Sequence, residues 1–233
     1  MQAAIRMGVQ AAALAFGLTA GMALAADTTF DVTLAGVQVA RMTVAGDVTG
    51  GAYQTQVSIT SDGLAGLFKR IRFQAQAEGT VGDAFMPARY TERADTGRRQ
   101  SQVEMVYADG VPKVVTYASP RPDGPNLLDP ATQGGTLDPA TALFAGLRDL
   151  PAGQGCAVGF VVFDGRRRSA YALSGDGLRC TGEYRRIAGY TPEEMAERSR
   201  FPLEVVYEAR GDALRVVEAS VQTVYGKVRL KRR

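Results

Sequence analysis

Polar and apolar residues alternate with a period of two along most of the chain, and this alternation limits the possible folds more than any motif does. In "TFDVTLAGVQVARMTV" Phe30, Val32 and Leu34 fall on one face, and Val37 and Val39 follow Gly36, which marks a turn or bulge. The pattern returns in "YQTQVSIT", "RIRFQAQAEG", "SQVEMVYADG" and "PKVVTYAS". Successive side chains of a strand point to opposite faces, so these runs read as half-buried strands. Gly50-Gly51, Asp62-Gly63, Gly82-Asp83 and Asp109-Gly110 separate them at the spacing of an antiparallel meander. A sheet this long must curl, close or pack to hide its apolar face and its edges. The expected fold is mainly β, a long antiparallel meander curled into an open or half barrel.

Two short helices are expected within this pattern. In "LDPATALFAGLRDLP" Asp138 is placed as N-cap and Pro139 as first helical residue, with Leu143, Phe144 and Leu147 forming an apolar stripe. In "YTPEEMAERSR" Thr191 and Glu194 have the spacing of a capping box around Pro192. The helix from Pro139 to about Arg148 is expected to cover part of the sheet. A Pro/Gly-rich loop at about 119–137 precedes it.

The first 25 residues have the three parts of a secretory signal peptide: Arg6, an apolar segment from Met7 to Met22, and Ala23-Leu24-Ala25. Cleavage after Ala25 would leave a single β-rich domain over residues 26–233 and send it to the periplasm. No cysteine follows the cleavage site, so no lipid anchor is suggested. Arg6 is the only charge removed, which lowers the net charge from +3 to +2. That balance argues against nucleic acid as a partner. The absence of histidine removes the usual general base and the commonest zinc ligand. No metal or cofactor is expected.

Asp164-Gly165 divides two β-like runs and predicts a two-residue hairpin turn, with Phe163 opposite Arg166 and Val161 opposite Arg168. Arg166 and Arg168 would then share a face, either as a solvated hairpin tip or as a grip for an anion. In a plain three-strand meander Cys156 and Cys180 would lie two strand spacings apart, roughly 9–10 Å. That exceeds the ~7 Å reach of a disulfide. Either the bond is absent, or a bulge or a change of strand order brings the cysteines together; an oxidising compartment favours the bond.

"DGLAGLFKRIRF" sets Leu64, Leu67 and Phe68 beside Lys69, Arg70 and Arg72. It reads either as an apolar lip with a basic collar for a membrane surface or as a loop tucked into the core. "YGKVRLKRR" reads as a last edge strand protected by charge. Glu92, Asp95, Glu104, Asp109, Glu183, Glu204 and Glu208 are available acids, but no spacing among them specifies catalysis.

"VVFDGRRRSAYAL", with "CTGEYRRIAGY" after it and "LDPATALFAGLR" before it, resembles a group of exported proteobacterial proteins known as the domain of unknown function numbered thirty-one hundred and eight. "LAGVQVARM", "SDGLAGLFKRIRF" and an "AEG" turn extend the resemblance over nearly all of the mature chain. Asp164, Gly165, Arg166, Arg167, Cys180, Tyr184 and Gly189 carry it and are mostly of hairpin-building types. The resemblance brings no catalytic residues. More distantly it implies the curled half-barrels of periplasmic lipoprotein carriers, which hold acyl chains in an apolar concavity.

The expected function is non-catalytic: binding a lipid, an acyl chain or another envelope component. Leu64, Leu67 and Phe68 would form the lip, and Arg166 and Arg168 would attract an anionic head group. A monomer that touches the membrane surface fits this reading. The alternatives are a scaffolding partner in envelope assembly and, third, an enzyme acting on cell-wall or polysaccharide material.

Overall fold

The computed structural model describes residues 26–61, 71–97, 100–118, 126–156 and 158–233. The alternation is realised as one fourteen-stranded antiparallel sheet. Its first half runs β1 (Ala26–Leu34), β2 (Val37–Thr49), β3 (Ala52–Ser61), β4 (Arg72–Val81), β5 (Phe85–Asp95), β6 (Gln100–Ala108) and β7 (Val111–Ala118). The second half runs β8 (Leu150–Pro151), β9 (Val158–Phe163), β10 (Arg168–Gly175), β11 (Arg179–Ala188), β12 (Arg200–Arg210), β13 (Ala213–Thr223) and β14 (Gly226–Arg232). Helix α1 is Pro139–Leu147 and helix α2 is Pro192–Glu197. Both carry the caps read from the sequence: Asp138 accepts from the Thr141 amide, and Thr191 and Glu194 close a capping box.

The strand order is β7-β6-β5-β4-β3-β2-β1-β14-β13-β12-β11-β10-β9, with β8 attached to β13. Each half is a meander, and β1 pairing with β14 welds the two into one sheet. The C-terminal strand is therefore not an edge. Its Val228 and Leu230 lie opposite Leu34 and Val32, while Lys227, Arg229 and Lys231 project to the other face, where Arg229 pairs with Glu218. Charge on one face and apolar side chains on the other suit a central strand that is buried on one side only.

The true edges, β7 and β9, are not paired with each other, so the curl stays open. The segment before α1 crosses the seam. The Gly135 amide donates to the Gly110 carbonyl, and Leu137 bonds both the Val161 carbonyl and the Phe163 amide. This covers the β9 edge, which otherwise invites association with another strand.

The core lies inside the curl. Phe30, Met42, Val44, Tyr53, Val57, Tyr90, Met105, Phe163 and Val216 are buried together there, with Phe144 of α1 among them. Gly46 lets the helix approach: a Cβ at that position would lie 2.8 Å from the Phe144 ring. Tyr53, Phe85 and Phe144 pack ring against ring.

The Cys156–Cys180 disulfide is present, with a Cα separation of 5.1 Å. Neither a bulge nor a reordered sheet is needed to form it, because β9-β10-β11 is a plain meander. Cys156 lies before β9 begins, at a φ of 69°, and folds over the far end of the β10–β11 hairpin. Gly175, paired with Cys180, leaves the space: a Cβ there would lie 3.0 Å from the Cys156 sulfur.

Candidate functional site

Helix α1 packs on the inner face of β2–β5 and on β9, so the first half of the curl is filled. The Asp138 carboxylate at its start is fully buried and accepts from both the amide and the hydroxyl of Thr141. The Tyr53 hydroxyl lies 2.7 Å from the same threonine oxygen. Since that oxygen donates to Asp138, Tyr53 donates to it, and the chain of bonds fixes α1 to β3. Burial raises the Asp138 carboxyl to about 6, against the opposing pull of these hydrogen bonds.

The inner face of the second half is covered less completely. Leu173, Gly182, Leu203, Val221, Val228 and Leu34 stand opposite one another across β10, β11, β12, β13, β14 and β1. Every one of them is only half-buried. Two residues deeper, Cys180, Val205 and Ala219 form the buried floor. Two residues away in the other direction, Phe160, Tyr171, Tyr184 and the buried Phe201 make ring contacts of 5.0–5.4 Å across β9–β12. Phe160 approaches α1 at Gly146, where a Cβ would sit 3.8 Å from its ring.

Arginines gather at the end of this aromatic row. The Arg186 guanidinium lies 5.2 Å from the Tyr190 ring centre and 5.0 Å from that of Phe201, and it donates to the carbonyls of Glu194 and Arg198. Arg167 sits 4.8 Å from the Tyr190 centre and donates to the Glu194 carboxylate at 2.8 Å. The tips of the neighbouring β1–β2 and β13–β14 hairpins touch through the Ala35 amide and the Lys227 carbonyl. They carry Val37, 61% exposed, and Tyr225, 82% exposed.

The two arginines read as a joint anion grip have separate partners. Phe163 pairs with Arg168 instead of Arg166, so the β9–β10 connection spans four residues and holds Arg166 and Arg167 in the turn. Its cause is Asp164, whose carboxylate accepts from the amides of both residues, while only Gly165 takes a positive φ. Arg166 stacks 4.0 Å over Tyr117, and Arg168 reaches the buried Gln133 at 3.2 Å. Leu64, Leu67 and Phe68, the expected lip, lie outside the described residues. Arg186, Phe201 and the leucine–valine row were not singled out in the sequence. Alternation places each of them on an inner face, but only the strand registers bring them together.

Among the described residues no cluster of three or more His, Cys, Asp or Glu side chains could hold a metal. No curated protein and no solved structure matches the chain. A family model does match, over residues 29–177, which run from β1 to the end of β10 and stop before Cys180, Tyr184 and Gly189. The chain belongs to the family of proteins of unknown function called DUF3108.

Proposed function

We propose that this protein is a non-catalytic periplasmic binder of a lipid or acyl chain, held on the inner face of β10–β14. The observation that carries this reading is the half-buried row from Leu173 through Leu203, Val221 and Val228 to Leu34. Apolar side chains that could have been sealed by a helix, as those of β2–β5 are, remain partly accessible on the inner face. Burying such surface against an alkyl chain yields about 25 cal/mol per Å². Arg167 and Arg186 at the end of the aromatic row replace the expected pair Arg166 and Arg168 as the cations nearest an anionic head group. Val37 and Tyr225 supply an exposed apolar lip among the described residues.

Titration of delipidated protein with a fluorescent fatty acid tests the reading. Saturable uptake is expected, and the Leu203→Asp/Val221→Asp variant should lose it by about tenfold or more, since a charge in an apolar site is costly. Absence of saturable uptake by the wild-type protein defeats the proposal. The second reading, a scaffolding partner in envelope assembly, is favoured by the same exposed Tyr225. It predicts co-purification of an envelope protein that Tyr225→Ser abolishes, with indifference to lipid.

A further inference from the structure

The opposite, outer face of β3–β7 has a character of its own. Gln56 stands directly opposite Gln76, and Gln74 opposite Arg93, which in turn stands opposite Gln102. Three open clefts adjoin one another along this face and together form a shallow groove. A cleft of about 620 Å³ over β2–β5 shares Gln56, Gln76 and Thr91 with one of about 370 Å³, which shares Gln74, Arg93 and Gln102 with one of about 690 Å³ reaching β7. From β3 to β7 the groove crosses four strand spacings, roughly 19 Å.

Three properties define what fits it. Gln54 donates to Asp47 and Gln100 to Asp95, but no side chain among the described residues bonds the amides of Gln56, Gln74, Gln76 or Gln102. Each amide offers donors and an acceptor together, the same dual capacity as a hydroxyl group. The lining is mildly acidic, with Arg72, Arg89 and Arg93 against Asp47, Glu78, Glu92, Asp95 and Glu104, so a polyanion gains little. Apart from Ala118 beside Gln102, the outward positions of the lining are polar, which disfavours an alkyl chain, and it is a sheet face, so an added strand has no backbone partners there.

We propose that this groove binds a neutral, polyhydroxylated polymer, a glycan strand laid across β3–β7 with Gln56, Gln74, Gln76 and Gln102 hydrogen-bonding its hydroxyls. The site is separate from the inner apolar face and does not depend on lipid binding.

Native electrophoresis in gels cast with dextran, starch, galactomannan or hydroxyethyl cellulose tests it, with dextran sulfate as the charged counterpart. Retardation by at least one neutral polymer is expected, weakened about tenfold or more, ~1.4 kcal/mol, in the Gln56→Ala/Gln76→Ala/Gln102→Ala variant. These side chains are exposed, so the variant should keep the melting temperature and fatty-acid uptake of the wild type. Three outcomes overturn the proposal: no retardation by any neutral polymer, retardation by dextran sulfate only, or equal retardation of variant and wild type.

Discussion

The guanidinium of Arg166 lies 4.0 Å over the ring of Tyr117, and this contact joins the turn after β9 to β7, the two unpaired ends of the sheet. No backbone ladder closes the curl; a cation on an aromatic face does part of that work, beside the strap through Gly135 and Leu137. Cation–π pairs of this kind are worth about 0.5–2 kcal/mol, more as they are desolvated. Arg166→Met keeps the aliphatic stem and removes the charge. A loss of about 1 kcal/mol is expected, with faster amide exchange in Val111–Ala118. A double-mutant cycle with Tyr117→Leu should return a coupling of similar size; additive losses would leave the rings and the charge unconnected.

The disulfide is predicted to act locally. Its two cysteines are 24 residues apart, and chain entropy gives such a closure about 3 kcal/mol. Cys156→Ala/Cys180→Ala should lower stability by roughly that amount. Hydrogen exchange should rise first around Gly153–Cys156 and the β10–β11 turn. Equal loosening at Arg166 and Tyr117, at the opposite seam, would contradict the local placement.

Much of the architecture was legible because its signals were local. Asp138-Pro139 and Thr191-Pro192 cap helices through their own side chains, and the alternation of β2 to β6 needs no partner to be read. The misreadings came from pairings across distance. The charged pattern of β14 is the same for an edge strand and for a central one with a wet outer face, and only β1, nearly two hundred residues earlier, decides between them. At Asp164-Gly165 the dipeptide announced a turn, but the aspartate bonds two amides beyond it and lengthens the loop, which moves Arg166 off the strand. The half-buried row from Leu173 to Leu34 uses six strands. No single stretch of sequence contains it.

Gly46 and Phe144 should be strongly coupled. A Cβ at Gly46 would fall 2.7 Å from the Gln54 carbonyl oxygen as well as 2.8 Å from the Phe144 ring, and backbone cannot yield as a flexible side chain does. Gly46→Ala is expected to cost about 1–3 kcal/mol by overpacking, and Phe144→Ala about 3–5 kcal/mol by leaving a cavity. In the double variant the alanine methyl no longer meets the ring, so denaturant midpoints should show a combined loss smaller than the sum. Strict additivity would mean that α1 does not rest on β2 through this pair.

Asp138 gives the fold a pH signature opposite to that of most carboxylates. Burial raises its folded pKa to about 6, above the usual value of 3.8, so the folded chain holds a proton that the unfolded chain has released between about pH 4 and 6. The associated stability is fully present below about pH 4 and is lost as pH rises through about 6. Its full size is on the order of 3 kcal/mol. Asparagine keeps one oxygen for the Thr141 amide, turns its NH2 toward the Thr141 hydroxyl in place of the second carboxylate oxygen, and cannot ionise, so Asp138→Asn should cap α1 and remove the pH dependence. Urea denaturation of both proteins from pH 4 to 7.5 measures the difference directly. The variant is expected to gain on the wild type as pH rises through this window, by about 2–3 kcal/mol in total. A constant difference across the range would mean that the carboxyl is not held in the dry interior that Tyr53, Thr141 and α1 build around it.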